Sequence, residues 1–373
     1  MSHAVALVPG FLGFDHQGEL TYFADRFLAG LRSAIETAAR QSVPVMPIRV
    51  PPIGSLAERQ EALIGALTDL DARSGGPFSW HLVGHSTGGL DVALLARTTK
   101  LAYDADKGSI FSTEKLAIER LASITTLSTP HYGTCLARAP LPAATRAGKI
   151  SLEDRIKGLS ELPALALDVT HRDALFARLS FGRGPSARNT VDFFWHLLFN
   201  NRLARDLDPW IAAQLTARTD NRRDDVPVFS IATMAPRPVP GETQDKLFAH
   251  LWTWTQLRAE GAEPAAPPVE VRADVERIAS DPSKLPRPGE ELGAIANDGV
   301  VNTNRQVFGT FAGLVLADHG DVLGRYRRTD PFDGSILDPG LLTSGATFED
   351  DQFFALLRLV ARGIADVIGA AGA

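Results

Sequence analysis

The chain of 373 residues contains a single cysteine, Cys135, so it cannot form a disulfide bond within itself. This excludes a small extracellular scaffold held by disulfides and suits a reducing compartment. No segment reaches the roughly 20 consecutive apolar residues that a membrane-spanning helix needs. Residues 1–8 contain no cationic stretch followed by an apolar run of the secretion-signal kind. We therefore expect a cytoplasmic protein without a transmembrane segment, and a mature secreted form from which the signal has been removed is the alternative.

Positive charge is not in excess either, since 38 lysines and arginines are set against 44 acidic residues. The formal net charge of −6 and the lack of a basic stripe argue against a nucleic-acid partner. Hydrophobic residues make up 45% of the chain and charged residues 22%, as in an ordinary globular protein. The length is sufficient for a large core, in one elaborated domain or in two small ones.

The most informative segment is a predicted strand at residues 78–83 that runs directly into a tight turn. The turn has the pattern Gly-x-Ser-x-Gly at residues 84–88, and a helix is predicted at 89–97. A nucleophile elbow requires this context, because the serine lies on a turn that leaves no room for neighbouring side chains. The N-terminus of the following helix can stabilise negative charge. The pattern predicts Ser86 as a nucleophile.

Strands and helices alternate through much of the chain. Strands are predicted at 4–8, 43–50, 78–83, 123–127, 226–232 and 311–316, and helices at 23–40, 56–70, 89–97, 114–121, 244–258 and 348–368. A polar loop is predicted at 104–113. This alternation predicts an α/β fold with a mostly parallel central sheet flanked by helices.

The middle of the chain has a different pattern, with mainly amphipathic helical stretches at residues 136–225. We interpret it as a helical lid or cap inserted into one domain that spans 1–373. Its most apolar part, Phe-Phe-Trp-His-Leu-Leu-Phe at 193–199, has two interpretations. It could pack against the body of the domain, or it could cover the active site with its apolar face towards the substrate.

A serine nucleophile needs a base that takes its proton and an acid that orients the base. In this kind of fold they follow in the order serine, acid, histidine. His319 follows the predicted strand at 311–316, and of the nine histidines it alone combines the right order with a loop context. Asp298 lies in a tight Asn-Asp-Gly loop and is the predicted acid. Asp318 and Asp321 compete with it, although a neighbour so close in sequence rarely turns back to meet the ring.

The oxyanion of the tetrahedral intermediate needs two backbone N–H donors. One is expected from Thr87, the residue after the nucleophile. The other is expected from Phe11 in the glycine-rich loop at 8–14, whose ring could also line an acyl pocket.

The motifs at 7–15, 83–91, 125–133, 297–301 and 319–321 together resemble the bacterial triacylglycerol lipases and their esterase relatives in the α/β-hydrolase superfamily. The resemblance implies an α/β-hydrolase fold, a triad of Ser86, Asp298 and His319, and an oxyanion hole formed by the amides of Phe11 and Thr87. An enzyme of this kind requires no cofactor.

The resemblance also implies a structural Ca²⁺ in many members, held by an aspartate two residues after the catalytic histidine. Asp321 occupies that position, and Asp274 and Asp281 are the candidates for a second ligand. One departure concerns the oxyanion loop, where Pro9 stands in place of the histidine that usually precedes its first glycine.

These observations favour a lipase or esterase that acts on hydrophobic acyl esters through an acyl-enzyme, with transient contact to a lipid–water interface. An acyltransferase, or a hydrolase of polyesters or phospholipids, would use the same triad. A peptidase is disfavoured by the lipase-like motifs. A non-catalytic binding protein is a further alternative, although such proteins generally lack a triad member.

Overall fold

The structure is a computed structural model that describes residues 2–11, 13, 21–52, 54–97, 99–104, 109–115, 120–137, 202–217, 223–239, 246–259 and 266–372. Its strands in chain order are β1 (His3–Val8), β2 (Val45–Pro47), β3 (Ser79–His85), β4 (Thr99–Asp104), β5 (Ser109–Lys115), β6 (Leu121–Leu127), β7 (Val228–Met234), β8 (Glu276–Ile278), β9 (Thr310–Leu316), β10 (Arg327–Thr329) and β11 (Ile336–Pro339). Its α-helices are α1 (Asp25–Ala39), α2 (Leu56–Arg73), α3 (Thr87–Leu95), α4 (Arg202–Asp206), α5 (Pro209–Ala217), α6 (Lys246–Ala259) and α7 (Asp350–Gly372).

Seven strands form the central sheet in the order β2-β1-β3-β6-β7-β9-β8. Every pairing within it is parallel. The carboxyl ends of all seven strands therefore meet at one edge, where loops of an open parallel sheet form ligand sites. The predicted parallel sheet is confirmed.

Helices cover both faces of this sheet. On one face, α1 contributes Phe27 and Leu31 and α7 contributes Phe353 and Leu357 to a common apolar cluster. On the other face, α2 and α3 pack against the central strands through a second set of buried residues, among them Leu63, Leu67, Val92 and Leu95. This three-layer arrangement is the α/β-hydrolase fold that the motifs predicted.

Two local predictions after α3 are wrong. The polar loop predicted at 104–113 is largely an antiparallel pair, β4 with β5, outside the main sheet. The helix predicted at 114–121 is wrong at both of its ends, because Lys115 ends β5 and Leu121 begins β6, while residues 116–119 lie outside the described residues. The β-branched and aromatic residues of β4 and β5 favour strands. Each of the two strands is stabilised by pairing with the other. A pattern that is read within one segment does not reveal this pairing.

The predicted insertion at 136–225 is described in part. Residues 138–201 and 218–222, including the apolar stretch at 193–199, lie outside the described residues. The helices α4 and α5 pack on α3 through a cluster of buried leucines and an isoleucine: Leu90, Leu94, Leu203, Leu207, Ile211 and Leu215. The Leu56 N–H at the start of α2 donates to Asp206 Oδ2 of α4 at 2.9 Å. This part of the chain is thus anchored to α2 and α3.

Across the parts of the chain given above, no helix combines the length and the apolar composition that crossing a bilayer requires.

Candidate active site

The turn between β3 and α3 holds Ser86 in a backbone conformation that residues other than glycine seldom adopt, with φ 55° and ψ −130°. The neighbouring glycines make this turn sterically possible. A Cβ on Gly84 would lie 2.4 Å from the carbonyl oxygen of Gly88, and one on Gly88 would lie 2.2 Å from the carbonyl oxygen of Val8. The spacing of glycines in the sequence follows from these close approaches.

The loop after β1 lies directly against this turn. A Cβ on Gly10 would be 2.6 Å from Cβ of Ser86, so only a glycine lets the two loops approach so closely. Phe11 follows in this loop, and its ring packs against the apolar cluster formed by α3, α4 and α5. Thr87 is the first residue of α3 and is fully buried. The two predicted amide donors thus belong to the segments that flank Ser86.

His319 lies in the loop after β9 and contacts Asp298. Its Nδ1 is 2.9 Å from Asp298 Oδ2, and its side chain is 11% exposed while that of Asp298 is inaccessible. Since Nδ1 faces the carboxylate, Nε2 lies on the opposite side of the ring. The competing acids are directed elsewhere, because the Asp318 carboxylate accepts the N–H groups of Gly320 and Asp321.

Asp298 lies in an irregular loop and does not directly follow a strand of the sheet. The chain between β8 and Asp298 contains no sheet strand in the part that the structure describes. Instead the loop returns to the carboxyl end of β7, where the Ala235 N–H donates to the Asn297 carbonyl at 3.0 Å. The loop is held by a hydrogen bond to a neighbouring strand, so the acid reaches the right edge of the sheet without a strand of its own.

The Asp298 carboxylate has partners on both oxygens besides His319. Oδ1 accepts the N–H groups of Val300 at 3.0 Å and Val301 at 2.8 Å. Oδ2 accepts the Thr233 hydroxyl at 2.6 Å and the Gln306 side-chain amide at 3.2 Å. Such donors stabilise the ionised carboxylate and fix its orientation.

Sequence reasoning missed Thr233 and Gln306, which hold this carboxylate. Thr233 lies at the end of β7, one residue beyond the predicted strand, and Gln306 lies in a short 3₁₀ segment, and neither has a distinctive motif. Their contacts with Asp298 join segments 65 and 8 residues apart. Their residue types gave no sign of this role, because a threonine at the end of a strand is common.

His85, the residue before the nucleophile, makes two polar contacts. Its Nδ1 lies 2.7 Å from the Tyr22 hydroxyl, and its Nε2 lies 3.0 Å from the carbonyl oxygen of His319. Burial, and then the nearby His319, lower the pKa of His85 well below its usual value. His85 is therefore a neutral ring at physiological pH.

Asp321 is buried beside the base, and its Oδ2 accepts the Asp318 N–H at 2.9 Å. Burial raises the pKa of Asp318 to about 6, and burial together with Asp318 raises the pKa of Asp321 well above its usual range. Two buried acidic side chains next to each other are costly when both are charged.

The two candidates for a second calcium ligand lie apart from Asp321 and have other partners. Asp274 is exposed and forms an ion pair with Arg272 at 2.9 Å, and Asp281 accepts the Ser283 N–H at 3.0 Å. Within the described ranges, no group of three or more histidine, cysteine or acidic side chains converges. Ca²⁺ takes six to eight oxygen ligands. The residues named from the sequence do not assemble such a set, and calcium binding through Asp321 stays a prediction.

Comparison with other proteins finds similar structures but no similar sequence family. No protein-family model matches the chain, and no curated protein sequence is similar to it. Among solved structures, lipase 1 from Pelosinus fermentans superimposes with a TM-score of 0.53 at 16% identity, over 98% of each chain. The lipase of Staphylococcus hyicus gives 0.52 at 13% identity, over 100% of this chain and 97% of the other. The chain therefore has the α/β-hydrolase fold of these bacterial lipases, as its motifs predicted.

Proposed function

We propose that this protein is a serine carboxylic ester hydrolase that acts on hydrophobic acyl esters. The observation that carries the proposal is the contact of His319 with a fully buried, hydrogen-bonded Asp298. It occurs at the same sheet edge as Ser86, whose strained conformation is typical of a nucleophile elbow.

In the proposed reaction, Ser86 Oγ attacks the ester carbonyl carbon while His319 takes the serine proton. The amides of Phe11 and Thr87 donate to the oxygen that becomes negative. His319 then gives its proton to the leaving alcohol, and the acyl group remains on Ser86. A water molecule, deprotonated by His319, attacks the acyl-enzyme and releases the acid, and the proton returns to Ser86.

Asp298 serves as the orienting acid in this proposal. Its contact with Nδ1 selects the tautomer with the proton on Nδ1, which leaves Nε2 free to accept the serine proton. Its negative charge stabilises the imidazolium that forms. Thr233 and Gln306 hold the carboxylate in place through the 2.6 Å and 3.2 Å contacts with Oδ2.

The apolar surroundings of Phe11 support a hydrophobic acyl group as substrate. Its ring joins the loop of the proposed oxyanion hole to the apolar cluster of α3, α4 and α5. We extend the proposal to a single domain over 1–373 with a lid at 136–225, of which α4 and α5 form the anchored part. Two proteins of the same fold are lipases by name. The reaction uses no cofactor, and a cytoplasmic location stays a prediction from the sequence.

The test is a series of p-nitrophenyl esters from acetate to palmitate, applied to the wild type and to Ser86→Ala and His319→Ala. We expect hydrolysis by the wild type and a loss of roughly 10⁴-fold or more in kcat for each variant. Ser33→Ala, on the exposed side of α1, is the matched control. A wild type inactive on every ester, or a Ser86→Ala variant with the wild-type rate, would overturn the proposal.

A further inference from the structure

Tyr22 and His85 connect three loops of the site, although neither belongs to the proposed triad. Tyr22 lies three residues before α1, and His85 ends β3 immediately before Ser86. The His85 ring lies between Tyr22 and His319, with its centroid 5.7 Å from the Tyr22 ring and 4.7 Å from the His319 ring.

The direction of each hydrogen bond follows from the chemistry of the partners. The His319 carbonyl can only accept, so His85 Nε2 carries the proton in the 3.0 Å contact. A neutral imidazole has one N–H, so Nδ1 is an acceptor. The Tyr22 hydroxyl therefore donates to Nδ1 across 2.7 Å.

The other side of the Tyr22 hydroxyl lies against the loop of the proposed oxyanion hole. A Cβ on Gly10 would lie 2.7 Å from the Tyr22 oxygen and 2.6 Å from the Ser86 Cβ, so the three groups are close together. We call the sequence of contacts from Gly10 to Tyr22, from Tyr22 to His85 and from His85 to the His319 carbonyl the Tyr22–His85 relay.

We infer that Tyr22 and His85 are positioning residues, which through this relay hold the oxyanion loop and the loop of the base at fixed positions relative to Ser86. This inference rests on the proposed function. It follows because one end of the relay packs against Gly10 of the oxyanion loop and the other meets the backbone carbonyl of His319, and both loops must be aligned with the nucleophile. Transition-state donors are effective only when they are fixed in advance, and a displacement of about 1 Å can cost 10²-fold in rate.

The relay also fixes the charge of its central member. His85 lies beside His319, which becomes positively charged during the proposed reaction, so a second cation at 4.7 Å between ring centroids would oppose that step. The hydrogen bond from the Tyr22 hydroxyl engages the lone pair of Nδ1, the site at which His85 would otherwise gain a proton.

Buried hydrogen bonds that only support the fold would have a different signature. Each adds only to the free energy of unfolding. Removing one would lower the melting temperature and leave kcat of the folded enzyme unchanged. A positioning role instead lowers kcat while KM stays the same, because substrate binding does not depend on the oxyanion donors.

The experiment compares Tyr22→Phe, His85→Phe, the double variant and His85→Gln with p-nitrophenyl butyrate. Tyr22→Phe and His85→Phe should each lose about 10–100-fold in kcat with KM within about twofold. The double variant should be no worse than the weaker single variant, because either change interrupts the same relay. His85→Gln should recover most of the rate, since its amide offers an acceptor to Tyr22 and a donor to the His319 carbonyl.

Tyr326→Phe is the matched control, since it removes a buried tyrosine hydroxyl that donates to Asp350 instead. A folded Tyr22→Phe enzyme with wild-type kcat would overturn the inference. So would losses that multiply in the double variant. Ser86→Ala, measured alongside, distinguishes failure of the relay from failure of the proposed function. If Ser86→Ala is inactive while Tyr22→Phe is unaffected, the proposed function stands and only the relay fails.

Discussion

His319 and Asp298 are joined twice. The ring Nδ1 lies 2.9 Å from the Asp298 carboxylate, and the His319 N–H donates to the Asp298 carbonyl at 3.0 Å. The second contact fixes the distance between the two backbones, and the first then fixes the ring. The position of the ring therefore depends on whatever holds the Asp298 loop.

Thr233 holds that loop most directly, through its 2.6 Å contact with Asp298 Oδ2. Thr233→Val keeps the shape of the side chain but removes the donor. We expect kcat/KM on p-nitrophenyl butyrate to fall by roughly 10-fold, since a hydrogen bond to a charged group contributes about 1.5–3 kcal/mol. Thr68→Val is the control, because the exposed Thr68 hydroxyl bonds only within α2. Equal activity of the two variants would contradict a role for Thr233.

A buried ion pair supports the oxyanion loop from behind. Both the Arg59 and the Asp91 side chain are inaccessible, with 2.7 Å between Nη2 and Oδ2. Arg59 also donates to the carbonyl oxygens of Pro9 at 2.6 Å and Pro51 at 2.7 Å. The guanidinium thus links α2 and α3 to the oxyanion loop, which it contacts at Pro9.

Arg59→Met should destabilise the protein by about 3–5 kcal/mol, because it leaves the Asp91 charge buried and unpaired. The double variant Arg59→Met with Asp91→Leu should cost less than Arg59→Met alone, since no buried charge remains. Urea unfolding at pH 7 measures both. Arg272→Met, which removes the exposed partner of Asp274, should cost less than about 1 kcal/mol. Additive losses from Arg59 and Asp91 would refute the coupling.

Asp206 should make stability depend on pH. Burial raises its pKa from 3.8 to about 6. A carboxyl whose pKa is higher in the folded state stabilises the fold while protonated. Its contribution is complete below pH 3.8 and is lost as pH rises through about 6, a loss of roughly 1–3 kcal/mol. Asp206→Asn keeps an acceptor for the Leu56 N–H and should remove this component, so its stability relative to wild type should increase between pH 4 and pH 7.

Asp274→Asn provides a control of opposite sign for this experiment. The hydrogen bond from Arg272 lowers the pKa of Asp274, so its small contribution is present at neutral pH and lost in acid. Urea midpoints at several pH values compare the two variants with the wild type. A stability difference for Asp206→Asn that does not change with pH would show that Asp206 is not the titrating group.

Local patterns predicted the parts of the site that local geometry determines. The elbow around Ser86 is specified by two glycines and a strand-to-helix transition within a dozen residues. The loop after β9 likewise follows its strand directly, so the position of His319 could be read from the sequence. The sheet strands were found because their apolar runs are long enough to be distinctive, except for the three-residue β8 at the edge.

Contacts between distant segments could not be read in this way. Asp298 reaches the carboxyl end of β7 through an irregular loop, and Thr233 meets it across 65 residues. Tyr22 meets His85 across 63 residues and Arg59 meets Asp91 across 32, without a periodicity that would mark either pair. Such contacts arise from tertiary packing, and a single sequence contains no direct signal of it.

The parallel sheet has a consequence for how an active molecule forms. Ser86 follows the interior strand β3, whereas His319 follows β9, which pairs with β7 and the edge strand β8. His85 and the His319 carbonyl meet across 234 residues of chain. Pairings of such long range are slow to form, because the entropy of loop closure opposes them. A refolding chain should therefore recover helical content first and turnover last, when the C-terminal strands have joined the sheet.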